Sequence, residues 1–100
     1  MDLSKIINNP MATLVDVRET YEFQASHAPG AINIPLGSIF QRIEEFKKMS
    51  APIVVYCRSG NRSEHAKLVL QAKGLQGVYN GGGLGDVLYF QSQAPKQAAA

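Results

Sequence analysis

The sequence predicts an α/β domain organised around a mainly parallel sheet, on three observations. β-Favouring apolar runs alternate several times with segments of helical periodicity, as strand–helix–strand units do. One of those runs, "APIVVYC" at 51–57, is continuously apolar after Pro52, as expected of a central strand buried on both faces. The third is size: 100 residues, 45% of them hydrophobic, suit one compact domain with one core.

The elements follow in order. The chain starts almost directly with "LSKIINN" (3–9), which is helix-like. "ATLVDVRE" (12–19) opens with Leu14, Val15 and Val17 and closes in charge, predicting a buried strand whose carboxyl end carries Asp16 and Arg18. "ETYEFQASH" (19–27) mixes Glu19 and Glu22 with Tyr21, Phe23 and Ala25, a short helix that the turn at Pro29 and Gly30 ends. In "AINIP" (31–35), Ile32 and Ile34 alternate with Ala31 and Asn33, predicting a short strand. "GSIFQRIEEFKKMS" (37–50) sets Ile39, Ile43 and Phe46 at helical spacing with Phe40 beside them. Ser38 is placed to cap that helix, and Lys47 and Lys48 complement its dipole. "RSEHAKLVLQAKG" (62–74) puts Ala66, Val69, Leu70 and Lys73 on one helical face and stops at Gly74. "GVYNGGG" (77–83) predicts a last short strand ending in a glycine turn, and "LGDVLYFQ" (84–91) a final helix or docking segment. A single domain is thus expected over 1–91, followed by a disordered tail, "SQAPKQAAA" (92–100), which has little to bury.

Composition narrows the function. Ten basic residues against eight acidic give a net charge of +2, and Lys47–Lys48 is the only adjacent basic pair. Nucleic-acid binding needs a clustered basic face, so that class is set aside. A small anionic substrate needs only local positive charge. No run approaches the roughly 18 consecutive apolar residues of a membrane span. The start carries Asp2 and only the Ile6–Ile7 apolar pair, unlike a secretory signal, so a cytoplasmic protein is expected unless a leader has been removed. Cys57 is the only cysteine, which rules out an internal disulfide and a zinc site built on several thiolates.

A lone cysteine is commonly an inert core residue. Cys57, however, stands at the carboxyl end of the best-defined strand, where open α/β sheets place their sites. It is followed by Arg58, Ser59, Gly60, Asn61, Arg62 and Ser63, all small, polar or basic, before the helical pattern takes over. A loop of this kind, curling into a helix N-terminus, points successive backbone N–H groups at one centre and makes an anion cradle around the sulfur. Those donors, the helix dipole and the two arginines favour thiolate, so the Cys57 pKa is expected to fall below its free value of about 8.5. A nucleophile ionised near neutral pH needs no separate base. Gly60, without Cβ, is free to take positive φ and turn the backbone around the sulfur. His65 reads as a first-turn surface residue.

"VVYCRSGNRS" resembles the active-site loop of the rhodanese family, the single-domain thiosulfate sulfurtransferases, a six-residue loop of pattern C-R-x-G-x-R running from Cys57 to Arg62. "LVDVRETYEFQASHAPGAINIPL" (14–36) is similar to the family's D-V-R-x-x-x-E-[FY] and H-I-x-G-A-x-N-I-P signatures. "VYNGGGL" is similar to its glycine-rich segment before the last helix. The motifs stand in the family's order and cover the chain from 13 to about 90. Ala28 stands where the family usually has a larger aliphatic residue, and no Trp follows the three glycines, two departures that concern packing more than chemistry.

The resemblance implies a three-layer sandwich, with a central, mainly parallel sheet of four to five strands and helices on both faces. It implies a double displacement in which Cys57 takes the outer sulfur of thiosulfate as a persulfide and hands it to cyanide or a thiol. The loop residues Arg58, Ser59, Gly60, Asn61, Arg62 and Ser63 would bind the donor, with the two arginines on the sulfonate. No metal or organic cofactor is implied. Asp16 is expected to organise neighbouring loops, Arg18 to pair with an acid such as Glu22, and His27 to fix its turn by hydrogen bonding. The expected partners are a small anionic sulfur donor and a thiophilic acceptor, with a protein acceptor open and neither nucleic acid nor membrane. A persulfide carrier or interaction module serving one protein partner shares the first half-reaction and stays open. A Cys-dependent phosphatase or arsenate reductase is disfavoured. Relatives acting on phosphate-type oxyanions carry one more residue between Cys and Arg, whereas four separate Cys57 from Arg62, and no second cysteine is present for a disulfide relay.

Overall fold

In a computed structural model describing residues 2–94, strands β1 (Thr13–Asp16), β2 (Ile32–Asn33), β3 (Ile53–Cys57) and β4 (Val78–Gly83) form one sheet. The order is β2–β1–β3–β4 and every pairing is parallel. Helices α1 (Leu3–Ile7), α2 (Thr20–Ala25), α3 (Ile43–Lys47), α4 (Asn61–Ala72) and α5 (Leu84–Ser92) connect or flank the strands, giving the expected α/β sandwich with a four-stranded sheet.

β3 explains the layering. All five of its residues are buried, as its unbroken apolar run requires, and they alternate between faces with the period of two of any strand. Ile53, Val55 and Cys57 enter one cluster with Ile39, Ile43, Phe46, Ala66 and Leu70. Val54 and Tyr56 enter another with Ile7 of α1, Ala28 and Val87 of α5. The interior is therefore two apolar layers divided by the sheet, where composition had suggested one core. Ala28, fully buried, sits in the second layer.

Four local expectations need correcting. The segment 37–50 is not one helix capped by Ser38: 3₁₀ turns at Leu36–Ser38 and Phe40–Arg42 precede the short α3, and Ser38 lies inside the first turn. At three residues per turn, Leu36 and Ile39 fall on one side and both reach the first layer. Phe40, read as lying beside that stripe, is instead 64% exposed, with the Lys73 ammonium 5.5 Å from its ring centroid. The strand expected at 31–35 shortens to Ile32–Asn33 on the sheet edge, although Ile34 and Leu36 still donate backbone N–H groups to Asp16 and Val17. At the far end, α5 runs through Ser92, so that residue belongs to the helix and not to the tail; positions 95–100 of the expected tail lie outside the described residues. Among the described residues, no helix is long and apolar enough to cross a membrane.

The last strand determines what surrounds the cysteine. β3 and β4 lose register between Val55 and Cys57, and Cys57 comes opposite Gly83. A Cβ on Gly83 would collide with the Arg58 carbonyl, so the loop after Cys57 packs directly on bare backbone.

Candidate active site

Cys57 ends β3 with its sulfur turned toward α4, fully buried. The chain then rises through Arg58 and Ser59 to Gly60, which takes φ +99° and caps α4. That left-handed turn aims N–H groups back at the sulfur: Gly60 N–H donates to Sγ at 3.0 Å and Ser63 N–H at 3.4 Å. Ser63 Oγ lies 3.4 Å from the same atom. Burial pushes the Cys57 thiol up, but the hydrogen bonds its thiolate accepts from the Ser63 hydroxyl, once that turns onto Sγ, and from the backbone of Ser63, Ser59 and Gly60 outweigh it, and the pKa is lowered. The site thus holds a buried sulfur of lowered pKa in an amide cradle, with Gly60 in the conformation its lack of Cβ permits.

Arg62 and Arg18 each pair with a carboxylate. Arg62 forks onto Glu22 of α2, Nη1 to Oε1 at 2.7 Å and Nη2 to Oε2 at 3.1 Å. The Arg62 hydrogen bonds, opposed by burial, hold the Glu22 carboxyl down at about 2. Arg18 pairs with Asp16 instead of Glu22. Its Nε and Nη2 reach the buried carboxylate at 2.6–3.0 Å, and Nη2 also donates to the Ser26 carbonyl at 2.7 Å. Residues i and i+2 of an extended chain share a side, which makes Asp16 the nearest acid to Arg18. The Asp16 carboxylate accepts the Arg18 N–H, and its carbonyl accepts from the Asn33 amide. His27 is exposed; its Nδ1 lies 2.9 Å from the Phe23 carbonyl and its ring stacks on Phe23 at 3.8 Å, a turn-fixing arrangement. Arg58 is exposed and forms no ion pair among the described residues. Asn61 opens α4, and His65 is exposed on it.

Two residues at the site were not singled out from sequence. Glu22 was proposed only as a partner for Arg18, although its place in the D-V-R-x-x-x-E motif marked it for some role. Asn80 was passed over entirely. Its Oδ1 accepts from Ser63 Oγ at 2.7 Å and from the Gly82 N–H at 2.9 Å, while its Nδ2 donates to the Gly60 carbonyl and to Glu64 Oε1, each at 3.0 Å. The one signal was a polar residue in the middle of a strand otherwise apolar or glycine. In the second layer, the Tyr56 hydroxyl accepts the Ala28 N–H, and burial pushes its pKa up to about 12.

A family model described as a rhodanese-like domain matches residues 1–84. The thiosulfate sulfurtransferase PspE of Escherichia coli is 39% identical over 74 residues, covering 73% of this chain and 71% of that protein. YrkF of Bacillus subtilis, provisionally named a sulfur carrier protein, is 34% identical over 76 residues, which is 76% of this chain but 40% of its own length. Among solved structures, a rhodanese with anions from E. coli matches with a TM-score of 0.69 at 38% identity, over 75% of this chain and 89% of that one.

Proposed function

The chain belongs to the rhodanese-like domain family, and on that premise we propose that it transfers sulfane sulfur from thiosulfate, or a related donor, to a thiophilic acceptor through a persulfide on Cys57. The observation that carries this reading is the cradle itself: a buried sulfur receiving the N–H groups of Gly60 and Ser63, with its pKa lowered. The Cys57 thiolate attacks the outer sulfur of thiosulfate; a new S–S bond forms, the old one breaks, and sulfite leaves with the electron pair. The acceptor, cyanide for example, attacks the terminal sulfur, giving thiocyanate and returning Cys57 as thiolate. Amide donors around Sγ stabilise negative sulfur before and after each transfer without reorganising. Arg58 takes the sulfonate, because the Arg62 fork is already held by Glu22 and contributes charge from a fixed position.

A second reading has one specific support, the resemblance to YrkF: the loaded chain would carry persulfide to a protein acceptor. The two readings part at discharge. Rapid discharge by cyanide or small thiols favours the enzyme, and discharge by a protein acceptor alone favours the carrier. The test of sulfur transfer is thiocyanate formation from thiosulfate and cyanide, with p-nitrophenyl phosphate hydrolysis alongside. Wild type should form thiocyanate and leave the phosphate ester intact. Cys57→Ser should form none while keeping its circular dichroism spectrum, and turnover retained by that variant contradicts the mechanism.

A further inference from the structure

The Asn80 amide fits its surroundings in only one orientation. Its nitrogen lies 3.0 Å from each of two acceptors, the Gly60 carbonyl and Glu64 Oε1, and its oxygen lies 2.9 Å from the Gly82 N–H. A flipped amide would set donor against donor. Asn80 Oδ1 therefore meets Ser63 Oγ as an acceptor, at 2.7 Å, and Ser63 must donate. Yet Ser63 has a single hydroxyl proton, and Cys57 Sγ, 3.4 Å away, is a second claimant for it.

From this geometry we infer that Asn80 is a positioning residue that sets the thiol–thiolate balance of Cys57 by drawing the Ser63 hydroxyl proton away from the sulfur. In the thiol state the Cys57 S–H points at Ser63 Oγ, and the Ser63 O–H points at Asn80. On ionisation the thiol proton leaves to solvent, and Ser63 keeps its own proton but turns it onto Sγ. Asn80 Oδ1 is then left with the Gly82 N–H alone. Ionisation thus sacrifices a short neutral hydrogen bond, so the sulfur is less acidic than the cradle alone would make it. The same turn runs in reverse when a persulfide forms, because the negative charge moves to the outer sulfur and Sγ no longer outcompetes the amide oxygen. The inference rests on Cys57 as the reacting group of the proposed transfer, but its test requires no sulfur transfer.

The test is a double-mutant cycle on the Cys57 pKa, read from thiolate ultraviolet absorbance against pH and checked by the pH dependence of iodoacetamide alkylation. The four proteins are wild type, Asn80→Ala, Ser63→Ala and the double variant. Asn80→Ala also releases the Gly60 carbonyl, which by itself raises the pKa, but that loosening acts with or without the Ser63 hydroxyl and cancels in the difference. The charged groups around the loop cancel likewise: Arg58, Arg62 with Glu22, Glu64 with Lys67, and Arg18 with Asp16. The shift caused by Asn80→Ala should lie lower with Ser63 present than with Ala at 63, by about half a pH unit, the scale of one neutral hydrogen bond. Equal shifts in the two backgrounds, or a difference of opposite sign, overturn the inference. Should Asn80→Ala fail to fold, Asn80→Asp keeps an acceptor that binds the proton more strongly, and its repulsion with Glu64 and the Gly60 carbonyl acts in both backgrounds and cancels, so the difference should reverse, the shift lying higher with Ser63 present; equal shifts overturn it there too. If thiosulfate never loads Cys57, the proposed function fails while this titration can still be read.

Discussion

At the residue scale, the pair that decides how the cradle is braced joins positions 40 apart in the chain, Arg62 and Glu22. Nothing in local spacing gives such a pair, whereas Asp16 and Arg18, two residues apart, also form one, where Glu22 had been expected as the acid. The Glu22–Arg62 pair has a pH signature. Unfolded, Glu22 takes up a proton near 4.5; folded, it holds its charge down to about 2, chiefly through the Arg62 hydrogen bonds. A carboxylate with a depressed folded pKa stabilises fully above the unfolded value, and that contribution is lost as pH falls from 4.5 toward 2. Glu22→Gln keeps the shape without the charge. The melting temperature of wild type should therefore fall more steeply than that of Glu22→Gln across this acid range, and parallel profiles would show that the pair contributes nothing to acid stability.

At the element scale, the junction of β3 with α4 makes the site, and its hinge is Gly60. With φ at +99° and Gly82 Cα 3.4 Å from where a Cβ would stand, Gly60→Ala forces an L-residue into left-handed backbone in a tight space. The expected cost is on the order of 1–2 kcal/mol in urea unfolding. Iodoacetamide should also alkylate Cys57 more slowly at neutral pH, as the Gly60 N–H leaves the sulfur. Unchanged stability and reactivity would mean that the turn does not shape the cradle. This junction was legible because strand, cysteine, glycine and helical periodicity are consecutive in the chain. The segment 36–47 was less so: apolar spacings of three and four fit a 3₁₀ turn followed by α-helix as well as a single helix, and only contact with the sheet selects between them. Asn80 was illegible for a related reason, since its partners come from α4 and the cysteine loop, which the parallel crossover returns beside β4.

At the scale of the whole molecule, α/β class and parallel topology were readable from alternation alone, but the division of the interior was not. Composition counts apolar residues without saying which face each serves; β3 sends alternate residues to two separate layers. The layers predict unequal effects for two phenylalanines six positions apart. Phe46 is fully buried, so Phe46→Ala should cost about 3–5 kcal/mol, a large part of a typical domain's stability of roughly 5–15 kcal/mol. Phe40 is 64% exposed, and Phe40→Ala should change stability by no more than about 0.5 kcal/mol. Similar losses in urea unfolding would contradict this assignment of faces. The fold as a whole serves to hold one sulfur among fixed donors, and the most direct measurement of that claim is intact mass after incubation with thiosulfate, then again after cyanide. The expected result is a gain of one sulfur atom, mapped to Cys57 and removed by cyanide; an unchanged mass with Cys57 still free to react with iodoacetamide would contradict it.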